Sequence, residues 1–265
     1  MAAKLAERTG AGRRLLGFGV LMAVVAAAAL DASAPPARAA GEAQPDSLRR
    51  SRLSEVFPAY PGTTQTPMGM LDANDNAMEM AFFETRDAPS EVLAFFGRAF
   101  EARGQRVEYV GEDEGGTVSY YDSSLGQLVS LHVMLSGDPN SRRTLVFPAI
   151  VDAPDGVSLS AAPIEALPAP EGANAVLRLD DRSMGRTGGA RTMTQIAPGS
   201  PAELAAFYRE TLPERGFTLS STRTEAETHV LEFAGELGNL SLTISPLATE
   251  GKPESVIAII MEGQR

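Results

Sequence analysis

The segment PSEVLAFFGRAFEARG, Pro89 to Gly104, returns later in the chain as PAELAAFYRETLPERG, Pro201 to Gly216. A repeat of this kind constrains the architecture before any other property does, because each copy must fold as the same supersecondary unit. Other features return in the same order. Phe57-Pro58-Ala59-Tyr60-Pro61-Gly62 corresponds to Leu167-Pro168-Ala169-Pro170-Glu171-Gly172, and Leu125-Gly126-Gln127-Leu128 to Leu237-Gly238-Asn239-Leu240. The shared offset from Pro89 to Pro201 is 112, and it holds again at Arg103-Gly104 and at the Leu-Gly pair.

Within the repeated segment, Val92, Phe95, Phe96, Ala99 and Phe100 recur at three- and four-residue steps and predict one apolar stripe on a helix. Leu204, Phe207, Tyr208 and Leu212 repeat that stripe. Ser200 and Glu203 have the spacing of a capping box, with Pro201 in the first turn, where a missing N–H is harmless. Gly104 and Gly216 supply left-handed stops, and Pro213 tightens the second helix's last turn.

Around the helices the period changes to two. Met78, Met80 and Phe82 alternate with Glu79, Ala81 and Phe83, and Val129, Leu131, Val133 and Leu135 alternate with Ser130 and His132. The expected fold class is α+β: two tandem repeats of about 100 residues, each an antiparallel sheet with one helix packed on one face, in the order β-β-α-β-β-β-β. The expected boundaries are a signal peptide at 1–39, a flexible segment at 40–53, repeat 1 at 54–151, a linker at 152–163 and repeat 2 at 164–265.

The N-terminus carries Lys4, Arg8, Arg13 and Arg14 before the apolar run Leu15 to Leu30, and then Ala37-Arg38-Ala39. This reads as an export signal cut between Ala39 and Ala40. The alternative is an uncleaved anchor, for which the run is short of the roughly 20 residues that span a bilayer. The expected location is therefore periplasmic or secreted, with the anchored form facing the periplasm as the alternative, and membrane contact comes only through an uncleaved N-terminus.

The chain has no cysteine. That excludes lipobox attachment, disulfides, thiolate zinc sites and thiol catalysis. The formal net charge is −11, and removing the five basic and two acidic residues of 1–39 brings it to −14. An acidic chain of this kind repels phosphate backbones, so no nucleic acid is expected as partner.

The elements Pro58 to Gly62, Asp87 to Phe96 and Gly104, with their second copies and Gly216-Phe217, resemble a loosely defined group of exported bacterial proteins. The resemblance spans most of the chain after the signal. It implies an α+β unit and export, and no activity attaches to the group.

Constellations that could carry chemistry are few. Asp72, Asn74 and Asn76 have the spacing of a calcium loop, but Ala77 replaces its glycine and Phe83 its final carboxylate, so the segment reads as a polar turn. His132 and His229 occupy positions that the repeat does not relate, and each is expected at the surface. The glycine-rich stretch Met184 to Gly189 reads as a hairpin loop, and Glu112-Asp113-Glu114 as a solvated turn. No catalytic, cofactor or metal residue is assigned and no enzyme is expected. The functional expectation is an exported, non-catalytic interaction or accessory module whose partner is another envelope or extracellular protein. The alternative is a carrier of a small hydrophobic ligand or lipid, in a pocket between helix and sheet lined by Met78, Met80, Phe82, Phe95 and Phe96.

Overall fold

The structure, a computed structural model, describes residues 51–112, 115–136, 143–156, 160–181, 190–247 and 252–263. The expected signal segment with Ala39 and Ala40 lies outside these residues, as do residues 40–50, 113–114 and 182–189. Among the described residues no helix is long and apolar enough to cross a membrane.

The elements are, in chain order, α1 (Arg52–Val56), β1 (Thr66–Ala73), β2 (Asn76–Thr85), α2 (Pro89–Glu101), β3 (Glu108–Glu112), β4 (Gly115–Asp122), β5 (Gln127–Leu135) and β6 (Thr144–Asp152), followed by β7 (Asn174–Asp181), β8 (Ala190–Pro198), α3 (Pro201–Thr211), a short 3-10 turn (Pro213–Arg215), β9 (Phe217–Glu225), β10 (Thr228–Gly235), β11 (Gly238–Leu247) and β12 (Glu254–Glu262). The fold class expected from the sequence, α+β with a separate helix-on-sheet domain in each repeat, is corrected. The twelve strands form one antiparallel sheet in the order β3-β4-β5-β6-β2-β1-β7-β8-β12-β11-β10-β9, and helices are the minor component. The physical reason for the miss is that alternation reports which face a residue takes. It carries no information about how far a hydrogen-bonded ladder continues.

By internal contacts the described residues divide into two units, 51–71 with 76–156, and 72–75 with 160–263. In the first unit, Val92, Leu93, Phe96 and Phe100 of α2 join Ala81, Phe83, Val118, Val129, Leu131, Val146 and Ile150 in one core. Phe57 meets Phe96 and Phe100 edge-on, with ring centroids 6.1 and 5.6 Å apart, an arrangement that suits the ring quadrupoles. Each fully buried phenylalanine contributes roughly 1.5–3 kcal/mol of transfer free energy. The core reaches further toward the N-terminus than expected. Leu53 is buried on α1, whose start is capped by Ser51 Oγ accepting from the Leu53 N–H at 3.2 Å, so a flexible segment running to 53 gives way to structure by Ser51. Arg52 holds this helix by ion pairs to Asp152 at 2.6 Å and Glu79 at 3.5 Å.

In the second unit Leu204, Ala205, Tyr208 and Leu212 pack with Met193, Leu231, Phe233, Leu240, Leu242, Ile257 and Ile259. Ser200 and Glu203 close the expected capping box: Ser200 Oγ accepts from the Glu203 N–H at 3.4 Å and Glu203 Oε2 accepts from the Ser200 N–H at 2.8 Å. Its counterpart on α2 has only the glutamate half, the Ala88 N–H donating to Glu91 Oε2 at 3.0 Å, because alanine has no hydroxyl. Gly104 and Gly216 take φ of 80° and 83°, the left-handed conformation expected of them, and Pro213 opens the 3-10 turn.

The duplication extends to a detail that the sequence comparison does not reach. The buried hydroxyls of Thr144 on β6 and Ser255 on β12 donate to the carbonyls of Asp87 and Gly199, each the residue before a helix N-cap, at 2.5 and 2.8 Å. In both units the last strand thereby fixes the entry of the helix. One core pair differs between the copies. Phe83 and Phe96 touch through tilted rings with centroids 6.3 Å apart, whereas their equivalents Gln195 and Tyr208 are hydrogen-bonded at 3.2 Å. Burial raises the pKa of the Tyr208 hydroxyl, so it stays a donor.

Candidate interaction surface

His132, expected on a wetter face, is 2% exposed. It sits on β5 opposite Thr117 of β4, with Nδ1 3.0 Å from Thr117 Oγ1. Ser119 and Ser130, the next pair along, are also buried, so β4 and β5 carry a short polar ladder on the side away from α2. Among the described residues neither His132 Nε2 nor Ser130 Oγ has a hydrogen-bond partner. Burial pushes the imidazole pKa down to about 4, and at neutral pH it is an uncharged part of the interior. The sequence misleads here because histidine and serine between apolar neighbours look like the wet face of a half-buried strand, and this sheet is buried on both faces at β5. His229, by contrast, is half-buried with Nδ1 3.2 Å from Thr224 Oγ1. Among the described residues no group of three or more His, Asp or Glu is placed to hold a metal ion.

The expected ligand pocket does not form from its five residues. Phe96 lies in the helix-side core with Phe95 packed against it, and β2 contributes Ala81 and Phe83 to that core. Met78, Met80 and Phe82 have the opposite parity on β2 and point to the other face, where Phe82 meets Phe147 at 5.6 Å. The alternation was legible, but the face that meets the helix was misassigned. A sheet stands between the two groups.

The LDANDN segment is the turn of the β1–β2 hairpin. Asn74 and Asp75 take φ of 49° and 65°, the left-handed pair that a tight hairpin needs. Residues 72–75 are part of the second unit, where Asn74 acts as a piece of backbone. Its Nδ2 donates to the Val176 carbonyl at 3.0 Å and its Oδ1 accepts from the Arg178 N–H at 2.7 Å. The Met184 to Gly189 stretch and Asp113-Glu114 lie outside the described residues.

The surface feature that stands out is β9. After Phe217, every residue from Thr218 to Glu225 is exposed, on both faces of the strand. The strand ends the sheet order with β10 as its neighbour, so among the described residues its other edge is unpaired. A bulge against β10 falls between Leu219 and Ser221. The signal that identifies it as an edge is the absence of apolar residues on either parity after Leu219.

The same position in the first unit is built differently. At the shared offset of 112, Gly97 corresponds to Arg209 and Tyr109 to Ser221. Gly97 is buried because the Tyr109 ring lies over it; a Cβ there would come within 1.7 Å of the tyrosine oxygen. The Tyr109 hydroxyl donates to Glu101 at 3.3 Å. Edge strand β3 is thus short, clasped to its helix by an aromatic ring and bounded by Glu108 and Glu112. On β9 the position equivalent to Tyr109 is Ser221, which has no ring. Instead Arg209 reaches from α3 to donate to Thr222 Oγ1 at 3.2 Å, and Arg223 pairs with Glu225 at 3.3 Å.

No family model matches the chain, and no curated protein matches it. Among solved structures the chain is similar to the apo structure of immunity protein TplEi of T6SS from Pseudomonas aeruginosa, at 11% identity over 78% of this chain and 84% of that one, with a TM-score of 0.22. A likeness at that score carries no functional argument.

Proposed function

We propose that this protein is an exported, non-catalytic interaction module that binds another envelope or extracellular protein. The observation that supports the reading is β9, a nine-residue strand exposed on both faces at the end of the sheet. A strand that contributes only Phe217 to a core is not explained by packing. An unpaired edge is a hazard that folds normally shorten, cover or charge. The copy of this edge in the first unit is 5 residues long and tied to its helix by the Tyr109 ring over Gly97, while β9 is 9 residues long and exposed on both faces. The N-terminal segment, read as an export signal, supports a partner outside the cytoplasm, and the net charge of −11 speaks against nucleic acid.

Co-purification from the envelope fraction of the source organism tests the reading, with the full chain beside a variant carrying Thr222→Lys and Thr224→Lys. Lysines on an edge discourage strand pairing without touching the core. The expected result is a discrete protein enriched by the wild-type chain and lost with the variant. Enrichment of nothing across several salt concentrations, or a hydrophobic ligand seen by native mass spectrometry of the purified chain, contradicts it.

A further inference from the structure

The difference between the two copies at the sheet edge says more than that a protein binds there. Along β9 the bulge separates Thr218-Leu219 from a regular stretch, Ser221 to Glu225, which pairs with Glu232 back to Thr228 without interruption. That stretch offers alternating unpaired N–H and C=O groups on its outer side, the template for strand addition. Its side chains select among extended segments. Thr222 lies opposite Leu231, a core residue, and so points to the helix side of the sheet, where the Arg209 guanidinium meets it. A strand added beside β9 places one residue directly across from Thr222 on that same side, within reach of a long side chain.

We infer that β9 takes an extended segment of a partner protein as an additional strand along Ser221 to Glu225, with a carboxylate of that segment meeting Arg209 across Thr222. This rests on the protein-binding reading and specifies its mode. The charge argument is local: where the first unit has Gly97 beneath Tyr109, the second has an arginine beside an open edge. The occupant is therefore an acidic strand rather than a second copy of β9. Antiparallel self-pairing centred on Thr222 would set Ser221 against Arg223 and bring the two Arg223 side chains to the diagonal, leaving both Arg209 groups without a carboxylate across the seam.

The test uses a synthetic peptide, Thr-Val-Thr-Asp-Thr-Val-Thr with blocked ends, titrated into the full chain and followed by amide NMR. The expected result is saturable perturbation centred on Ser221 to Glu225. The same peptide with Lys in place of Asp should bind about threefold more weakly, as loss of one exposed ion pair implies, and Arg209→Ala should remove that preference. A version of the peptide N-methylated at alternate residues should lose binding, because it removes strand donors without altering the protein. Perturbation that avoids β9, or equal binding of the N-methylated peptide, overturns strand addition. Equal binding of the Asp and Lys peptides overturns the role of Arg209. If the peptide fails while the co-purified protein is still lost with the lysine variant, the mode fails and the protein-binding reading survives; if both fail, the reading itself falls.

Discussion

At the scale of single residues, His132 makes the sharpest prediction. The folded state holds the imidazole neutral down to about pH 4, whereas the unfolded chain protonates near pH 6.5. Between those values the unfolded state binds the extra proton, so stability is full above about pH 6.5 and declines as pH falls toward 4. Denaturant unfolding should lose about 2 kcal/mol between pH 7 and pH 5, and His132→Gln should flatten that slope whatever it does to absolute stability. An unchanged slope would show that His132 is not the titrating group. The carboxylates with lowered pKa act in a lower range. Asp122 is held down chiefly by the Ser124 hydroxyl and Glu203 chiefly by the Ser200 N–H, and their contributions are lost as pH falls through their depressed values. The Gln195–Tyr208 bond makes a second prediction. Tyr208→Phe leaves the Gln195 oxygen buried without its donor and should cost about 1–3 kcal/mol. Adding Gln195→Phe, which copies the Phe83–Phe96 pair of the first unit, should recover most of that loss in thermal or chemical melts. No recovery would mean that the two cores are not interchangeable at this pair.

At the scale of elements, the helices were legible and the edges were not. Capping and stopping residues act locally, so Ser200, Glu203, Gly104 and Gly216 could be assigned from sequence, and each takes the expected role. Ser200→Ala removes one of these and should cost about 1 kcal/mol, while the same test at Ala88, which has no hydroxyl to lose, is silent. The helix stripe was less well read. Leu93 and Gly97 are buried in α2 while Phe95 is only partly so, because the neighbouring ring of Tyr109 lies on the face that Gly97 leaves open. A contact with a strand eleven residues further on cannot be seen in helical periodicity. Asn74 was read as a turn residue, which it is, but its amide also stands in for a peptide group beside β7. Asn74→Ala removes both bonds and should destabilise the second unit by about 1–3 kcal/mol, measured as a lower midpoint of unfolding with faster exchange of the Arg178 amide.

At the scale of the whole molecule, the order of the repeated segments was readable from sequence and the extent of the sheet was not. Repeats are written in the order of residues. Ladder continuity depends on which edges meet, and the twelve-strand order had no signature in the alternation. The candidate surface shares that limit: β3 and β9 both end the sheet, and what separates them is the length of β9, its exposure on both faces, and the changes from Gly97 to Arg209 and Tyr109 to Ser221. The central claim is that function resides in this difference between the copies. Site-specific photo-crosslinking tests it most directly, with a photoreactive side chain placed in turn at Thr222 and Thr224 on β9 and at Tyr109 on β3 of the full chain in its native envelope. The account predicts the same discrete adduct from both β9 positions and none from Tyr109. Adducts from Tyr109 alone, or no adduct from either edge, would contradict it.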